Sequence, residues 1–98
     1  MATFVTTIQF TEQGIRSIKD SPKRASAFKA AAKKMGVKVS DLYWTLGPFD
    51  GVIICDAPDE GIVTAAMLQL STLGNVKTST ARAFDAGEME KIVGMLGK

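Results

Sequence analysis

The sequence predicts an α+β fold of order βαββαβ with one extra helix at the C-terminus. Three observations carry this reading. Four stretches, 3–10, 37–46, 52–57 and 75–84, alternate or run apolar in the manner of strands. Two helical stretches separate the first strand from the second and the third from the fourth, and dense turn chemistry, Gly47-Pro48-Phe49-Asp50-Gly51, joins the second directly to the third.

In the first strand Phe4, Thr6, Ile8 and Phe10 share one face, with Val5, Thr7 and Gln9 on the other. Thr11 then serves as N-cap of a short helix over 12–18, and Asp20-Ser21-Pro22 breaks and restarts it with proline at the first turn. The restarted helix aligns Ala25, Phe28, Ala32 and Met35 in one apolar stripe and is expected to keep Lys23, Arg24, Lys29, Lys33 and Lys34 elsewhere. Gly36 ends it in the left-handed position.

Beyond the hairpin, Pro58 closes the third strand and Asp59 caps a helix over 60–73. That helix carries Ile62, Ala65, Ala66, Leu70 and Leu73 on one side and Val63, Met67 and Leu68 beside them, which predicts cover from more than one direction. Gly74 ends this helix. The fourth strand places Val76, Thr78, Thr80, Arg82 and Phe84 on one face, and Asp85 begins the last helix through Met89, Ile92, Val93 and Leu96.

With right-handed crossovers this order gives a ferredoxin-like arrangement, an antiparallel sheet of order 4-1-3-2 with helices on one face. Strand three offers Val52 and Ile54 to one face and Ile53, Cys55 and Ala57 to the other. An apolar second face is too large a patch to leave in water, so a homodimer packed sheet to sheet is expected, or a higher oligomer.

Composition bounds the chemistry. The 98 residues fit one domain, 1–98, and 46% hydrophobic with 22% charged residues match an ordinary globule. Net charge of +2 implies neither a nucleic-acid nor a membrane partner. That total conceals eight basic and three acidic residues in 1–49 against four basic and seven acidic in 50–98. One cysteine allows no internal disulfide, and with no leader-like start the chain reads as cytoplasmic. The absence of histidine removes Ser-His-Asp and Cys-His catalysis and leaves Cys55 an inert core thiol. No metal and no cofactor is implied.

Phe10-Thr11-Glu12-Gln13-Gly14-Ile15-Arg16, Ser21-Pro22-Lys23-Arg24, Tyr43-Trp44-Thr45-Leu46-Gly47, Ala57-Pro58-Asp59, Leu73-Gly74-Asn75-Val76 and Arg82-Ala83-Phe84 resemble the GYD-domain family along nearly the whole chain. The Gly-Tyr-Asp signature of that family falls on Gly47, Phe49 and Asp50, with phenylalanine where tyrosine is usual. The resemblance implies a dimeric α+β barrel, a group that includes small monooxygenases, isomerases, haem-degrading enzymes and ligand-sensing modules. It implies no single reaction.

The topology gathers the end of strand one, the start of the first helix, the hairpin and the start of strand four at one end of the sheet. Phe10, Gln13, Arg16, Trp44, Asp50 and Asn75 are expected to converge there, with Arg16 and Asp50 paired. Tyr43 and Trp44 are neighbours on one strand and point to opposite faces, one toward a helix-side cavity and one toward the dimer interface. The candidate ligand-binding residues are therefore Arg16, Tyr43, Trp44, Asp50 and Asn75. Lys23 and Arg24 at a helix start are a weaker anion signal.

These readings point first to a small homodimeric ligand-binding or accessory module with a small-molecule ligand between sheet and helices. Two alternatives stand beside it. One is a cofactor-independent monooxygenase or isomerase with Tyr43, Asp50 and Arg16 as acid-base or orienting groups. The other is a structural interaction protein without a pocket.

Overall fold

The alternation of the first strand is realised over β1 (Ala2–Phe10), which leads through α1 (Glu12–Arg16) and a single 3-10 turn (Ile18–Asp20) into α2 (Ser21–Lys34). There follow β2 (Lys38–Trp44), β3 (Gly51–Ala57), α3 (Glu60–Thr72), β4 (Val76–Ala83) and α4 (Ala86–Val93). The computed structural model describes residues 1–97. The sheet is antiparallel throughout, in the order β2-β3-β1-β4, which is the expected 4-1-3-2 read from the other edge.

Register divides the sheet into two unlike faces. Phe4 lies opposite Cys55 and Arg82, and Thr6 opposite Ile53 and Thr80, so these side chains share the face under the helices. There Phe4, Ile53, Cys55 and Ala57 join Phe28 and Ala32 of α2, Val37, and Val63, Ala66 and Met67 of α3 in one core. Thr6 is fully buried within it and shares a 2.8 Å hydrogen bond between hydroxyls with Thr80. The buried Thr6 hydroxyl thereby meets the requirement that a polar group taken from water find a partner.

The second face is apolar only along its middle. Val5 stands opposite Ile54 and Ala81, and Tyr43 opposite Val52, while Thr3, Thr7, Asp41, Asp56 and Ser79 form margins around that stripe. Within β2 the register shifts between Val39 and Asp41. Val39 pairs with Cys55 and Leu42 with Ile53, so the bulge lets an odd and an even residue reach the same face.

The helix starts follow the sequence closely. Thr11, Asp59 and Asp85 each accept a backbone N–H from the third residue beyond, and Glu88 returns a bond to the Asp85 N–H to complete a capping box. Gly36 and Gly74 end α2 and α3 at φ of +88° and +82°. Two expectations differ from the structure. The buried seam of α3 is Val63, Ala66 and Met67, whereas Ala65, Leu68 and Leu73 are exposed, so this helix is covered from the sheet side alone. Arg24 stands not on the outer surface of α2 but four residues before Phe28, on its inner side, where it is partly buried.

α4 packs differently from the others. None of its residues is buried, and Met89, Val93 and Leu96 leave an apolar stripe about half or more exposed. The radius of gyration is 15.0 Å, against about 13 Å for a compact chain of 100 residues. α4 is held through Arg82, whose guanidinium stacks over the rings of Phe4 and Phe84 at 5.8 and 4.6 Å and donates to Glu88 at 2.8 Å.

Two outcomes follow from these contacts. A Cβ on Gly14 would lie 2.0 Å from the Asn75 carbonyl oxygen, so Gly14→Ala should lower stability by about 1–3 kcal/mol. That loss outweighs the better helix propensity of alanine, about 1 kcal/mol, and a thermal melt checks it. The Arg82 bond, aided by the Asp85 N–H, holds the Glu88 carboxyl below its ordinary range. A depressed folded value stabilises above the unfolded pKa of about 4.3 and fades as pH falls through the folded one. The protection of α4 amides, measured relative to their intrinsic exchange rates, should therefore fall below that range in the wild type, and Glu88→Gln should remove this loss.

Candidate functional site

The end of the sheet that carries Phe10, Val76, Trp44 and Gly51 is where the chain builds a cavity, of about 50 Å³, between sheet and helices. Ile8, Phe28, Leu42, Ile53, Leu70 and Leu73 supply apolar walls, and Ser21, Arg24, Asp50 and Asn75 the polar ones. A few polar groups converging on an apolar hollow is the usual make-up of a small-molecule site.

Trp44 enters the cavity because the β2 bulge turns it to the helix side, and its indole N–H donates to the Ser21 Oγ at 2.9 Å. This bond satisfies both Trp44 and Ser21, which is otherwise a buried hydroxyl at the start of α2. Tyr43 borders the cavity, yet its ring stands with Val52 on the uncovered face and its hydroxyl donates to Asp41 at 3.3 Å.

Asp50 is fixed by main chain. Its N–H donates to the Ile8 carbonyl at 2.7 Å, its carbonyl accepts from the Thr45 N–H at 3.0 Å, and Oδ2 accepts the Phe10 N–H at 2.8 Å. The last bond ties the hairpin to the end of β1. Asn75 is held likewise, its carbonyl taking the Thr11 N–H and its Oδ1 the Gln13 amide, both at 3.0 Å.

Of the five candidates, Tyr43, Trp44, Asp50 and Asn75 thus border one cavity, and Arg16 does not. Arg16 pairs with Glu12 one turn away, with 76% and 80% of the two side chains exposed, so the expected Arg16–Asp50 pair is absent. A turn of helix satisfied locally outcompetes a pairing that would need Arg16 to cross α1. The cation at the cavity is instead Arg24, whose Nη1 donates to the Ser17 carbonyl at 2.7 Å and to its hydroxyl at 3.2 Å. Its spacing of four from Phe28 carried that signal in the sequence. Cys55 lies in the core, where burial and the nearby Asp56 push its thiol up, the reverse of activation.

These features define a ferredoxin-like α+β module with a helix-side cavity and an unshared sheet face. The GYD domain model matches residues 4–93, and the chain belongs to the GYD domain family. A Thermus thermophilus protein named glutamine synthetase and cystathionine beta-lyase binding protein is 32% identical over 90 residues, 91% of this chain and 95% of its own. A crystal structure of a Thermus thermophilus protein superposes with a TM-score of 0.57 at 24% identity, covering 88% of this chain and 96% of that one. The leucine response regulatory protein of Mycobacterium tuberculosis gives a TM-score of 0.66 at 14% identity over 87% of this chain. This chain spans 51% of that regulator, and the likeness is one of fold. No helix among the described residues is long and apolar enough to cross a membrane.

The Asp50 contact makes a clean test. Asp50→Ala should cost about 1–2 kcal/mol by leaving the Phe10 N–H unpaired, whereas Asp50→Asn, which keeps an acceptor oxygen, should cost well under half of that. Urea titration of the two variants separates the hydrogen bond from the charge.

Proposed function

We propose that this chain is a small binding and accessory module that pairs with a second copy through the uncovered sheet face and docks on a metabolic enzyme. The observation that carries the reading is the apolar stripe of Val5, Val52, Ile54 and Tyr43, left open on a sheet that α2 and α3 cover from the other side. Such a stripe with polar margins has the core-and-rim character of a protein interface. The exposed side of α4, with Met89 and Val93, and Leu96 just beyond it add a second apolar surface and suit assembly beyond a pair.

The name of the Thermus relative, with 32% identity across nearly both chains, supports enzyme docking. The acid-base alternative finds less support. Tyr43 and Trp44 lie on opposite faces, Asp50 is engaged by the Phe10 N–H, and Arg16 is on the outer surface with Glu12. A catalytic trio needs its members within reach of one substrate atom.

Light scattering at micromolar concentration should give a dimer or larger for the wild type. Ile54→Lys, which sets a charge in the middle of the stripe, should give a folded monomer. A wild-type monomer under these conditions would remove the self-association half of the reading. For the docking half, co-migration with purified glutamine synthetase or cystathionine beta-lyase from the same source is expected on size exclusion, and independent migration of both would remove it.

A further inference from the structure

Arg24 presents a charged donor that the chain itself does not use. Nη1 is spent on Ser17, but Nη2 is buried and has no hydrogen-bond partner. Neither ion pair among the described residues involves it. Leaving guanidinium hydrogens buried and unpaired is unfavourable, and a planar fork of this kind is shaped to meet a carboxylate.

The place of Arg24 gives this meaning. It stands in the wall shared by the 50 Å³ cavity and a wider groove of about 280 Å³ between α2 and α3, lining both. It is the one cation lining the inner cavity, among walls that are mostly apolar. Asp50 is the one anion there, and no ion pair joins the two.

We infer that the cavity between sheet and α2 binds a small monocarboxylate, with Arg24 as the residue that holds its carboxylate. The inference rests on the binding-module reading and names the ligand class of its cavity. Size sets the first limit. At about 10–15 Å³ for each water-sized position, 50 Å³ admits a handful of heavy atoms, enough for a carboxylate and a short aliphatic tail. Phe28, Leu42 and Leu70 receive the tail. Charge sets the second limit, because Asp50 repels a second negative group and so disfavours dicarboxylates and phosphate. Nη2 is shielded by the wall, so the guanidinium turns about its outer torsions to meet the ligand. A long side chain anchored at one nitrogen can make that movement.

Trp44 is the only tryptophan and borders the cavity, so its fluorescence reports occupancy. Sodium propionate, titrated against sodium chloride at matched ionic strength, should give a saturable change with a dissociation constant on the order of 1 mM. Succinate and inorganic phosphate should give none. Arg24→Gln should weaken propionate by roughly tenfold or more. Because that variant also loses the Ser17 bonds, circular dichroism accompanies it, and wild-type ¹⁵N spectra provide an independent reading. Propionate should shift the Arg24 Nε–H and the amides of Ser21, Asn75 and Val76. Absence of saturation, shifts confined to the exposed lysines, equal binding of phosphate, or unchanged affinity in folded Arg24→Gln would each overturn the assignment. None of these readouts depends on association state or enzyme docking, so the two readings fail separately.

Discussion

All helices that pack on the sheet do so from one side, and this one-sided cover sets what each strand residue can do. It requires β1 and β3 to alternate strictly, because Phe4, Ile53, Cys55 and Ala57 enter a dry core while Val5, Val52 and Ile54 remain outside it. A slip of one residue between these strands would exchange the two sets and bring Asp56 beneath the helices. The register is accordingly pinned at both ends. Thr3 donates to Asp56 at 2.7 Å at one, and the Phe10 N–H meets Asp50 at the other.

The two ends of the covered face are finished in different ways, and the difference places the cavity. At the Phe4 end, Arg82 lies over two aromatic rings and under Glu88, so a long cationic side chain fills the space beside the core. At the Phe10 end, a close main-chain approach and the polar side chains of Thr11 and Gln13 do the closing. Gly14 rests on the Asn75 carbonyl, the Thr11 hydroxyl donates to the Gly74 carbonyl at 2.6 Å, and Gln13 bridges Leu73 and Asn75. Short polar side chains bonded along the rim fix it without filling the interior, and a hollow is left between Phe28, Leu42 and Trp44.

Much of this was legible in the sequence, and what was not has particular causes. Periodicity of two and of 3.6 separated strands from helices, and capping residues marked the helix starts at Thr11, Asp59 and Asp85. The choice between Tyr43 and Trp44 for the cavity was not legible, because a single bulged residue near Ser40 reverses the parity of the second half of β2. The choice between Arg16 and Arg24 was legible only in part, through the spacing of four between Arg24 and Phe28. The chain changes helical phase through the 3-10 turn Ile18–Asp20, so positions before it say nothing of which side faces inward after it. Glu12 was the local competitor that took Arg16, and a glutamate four residues before an arginine is a pair that sequence does display. For α3 the apolar residues circle more of the helix than one sheet can cover, and only the packing decides which arc is buried.

One-sided cover also bears on how a module this small serves two contacts at once. Its sheet face and its helix layer are back to back, so a partner on one leaves the other free. If copies pair through their sheets as proposed, two helix layers turn outward, each bearing the lysines at 23, 29, 33 and 34 on the exposed side of α2. An enzyme with two copies of the docking site would then meet two equivalent surfaces on one rigid body, and the second contact would form at the high local concentration set by the first. Weak individual docking suffices under that arrangement. The hollow beneath α2 lies directly under the helix that carries those lysines, so an occupant that turns Arg24 acts on the same element that a docked enzyme would touch.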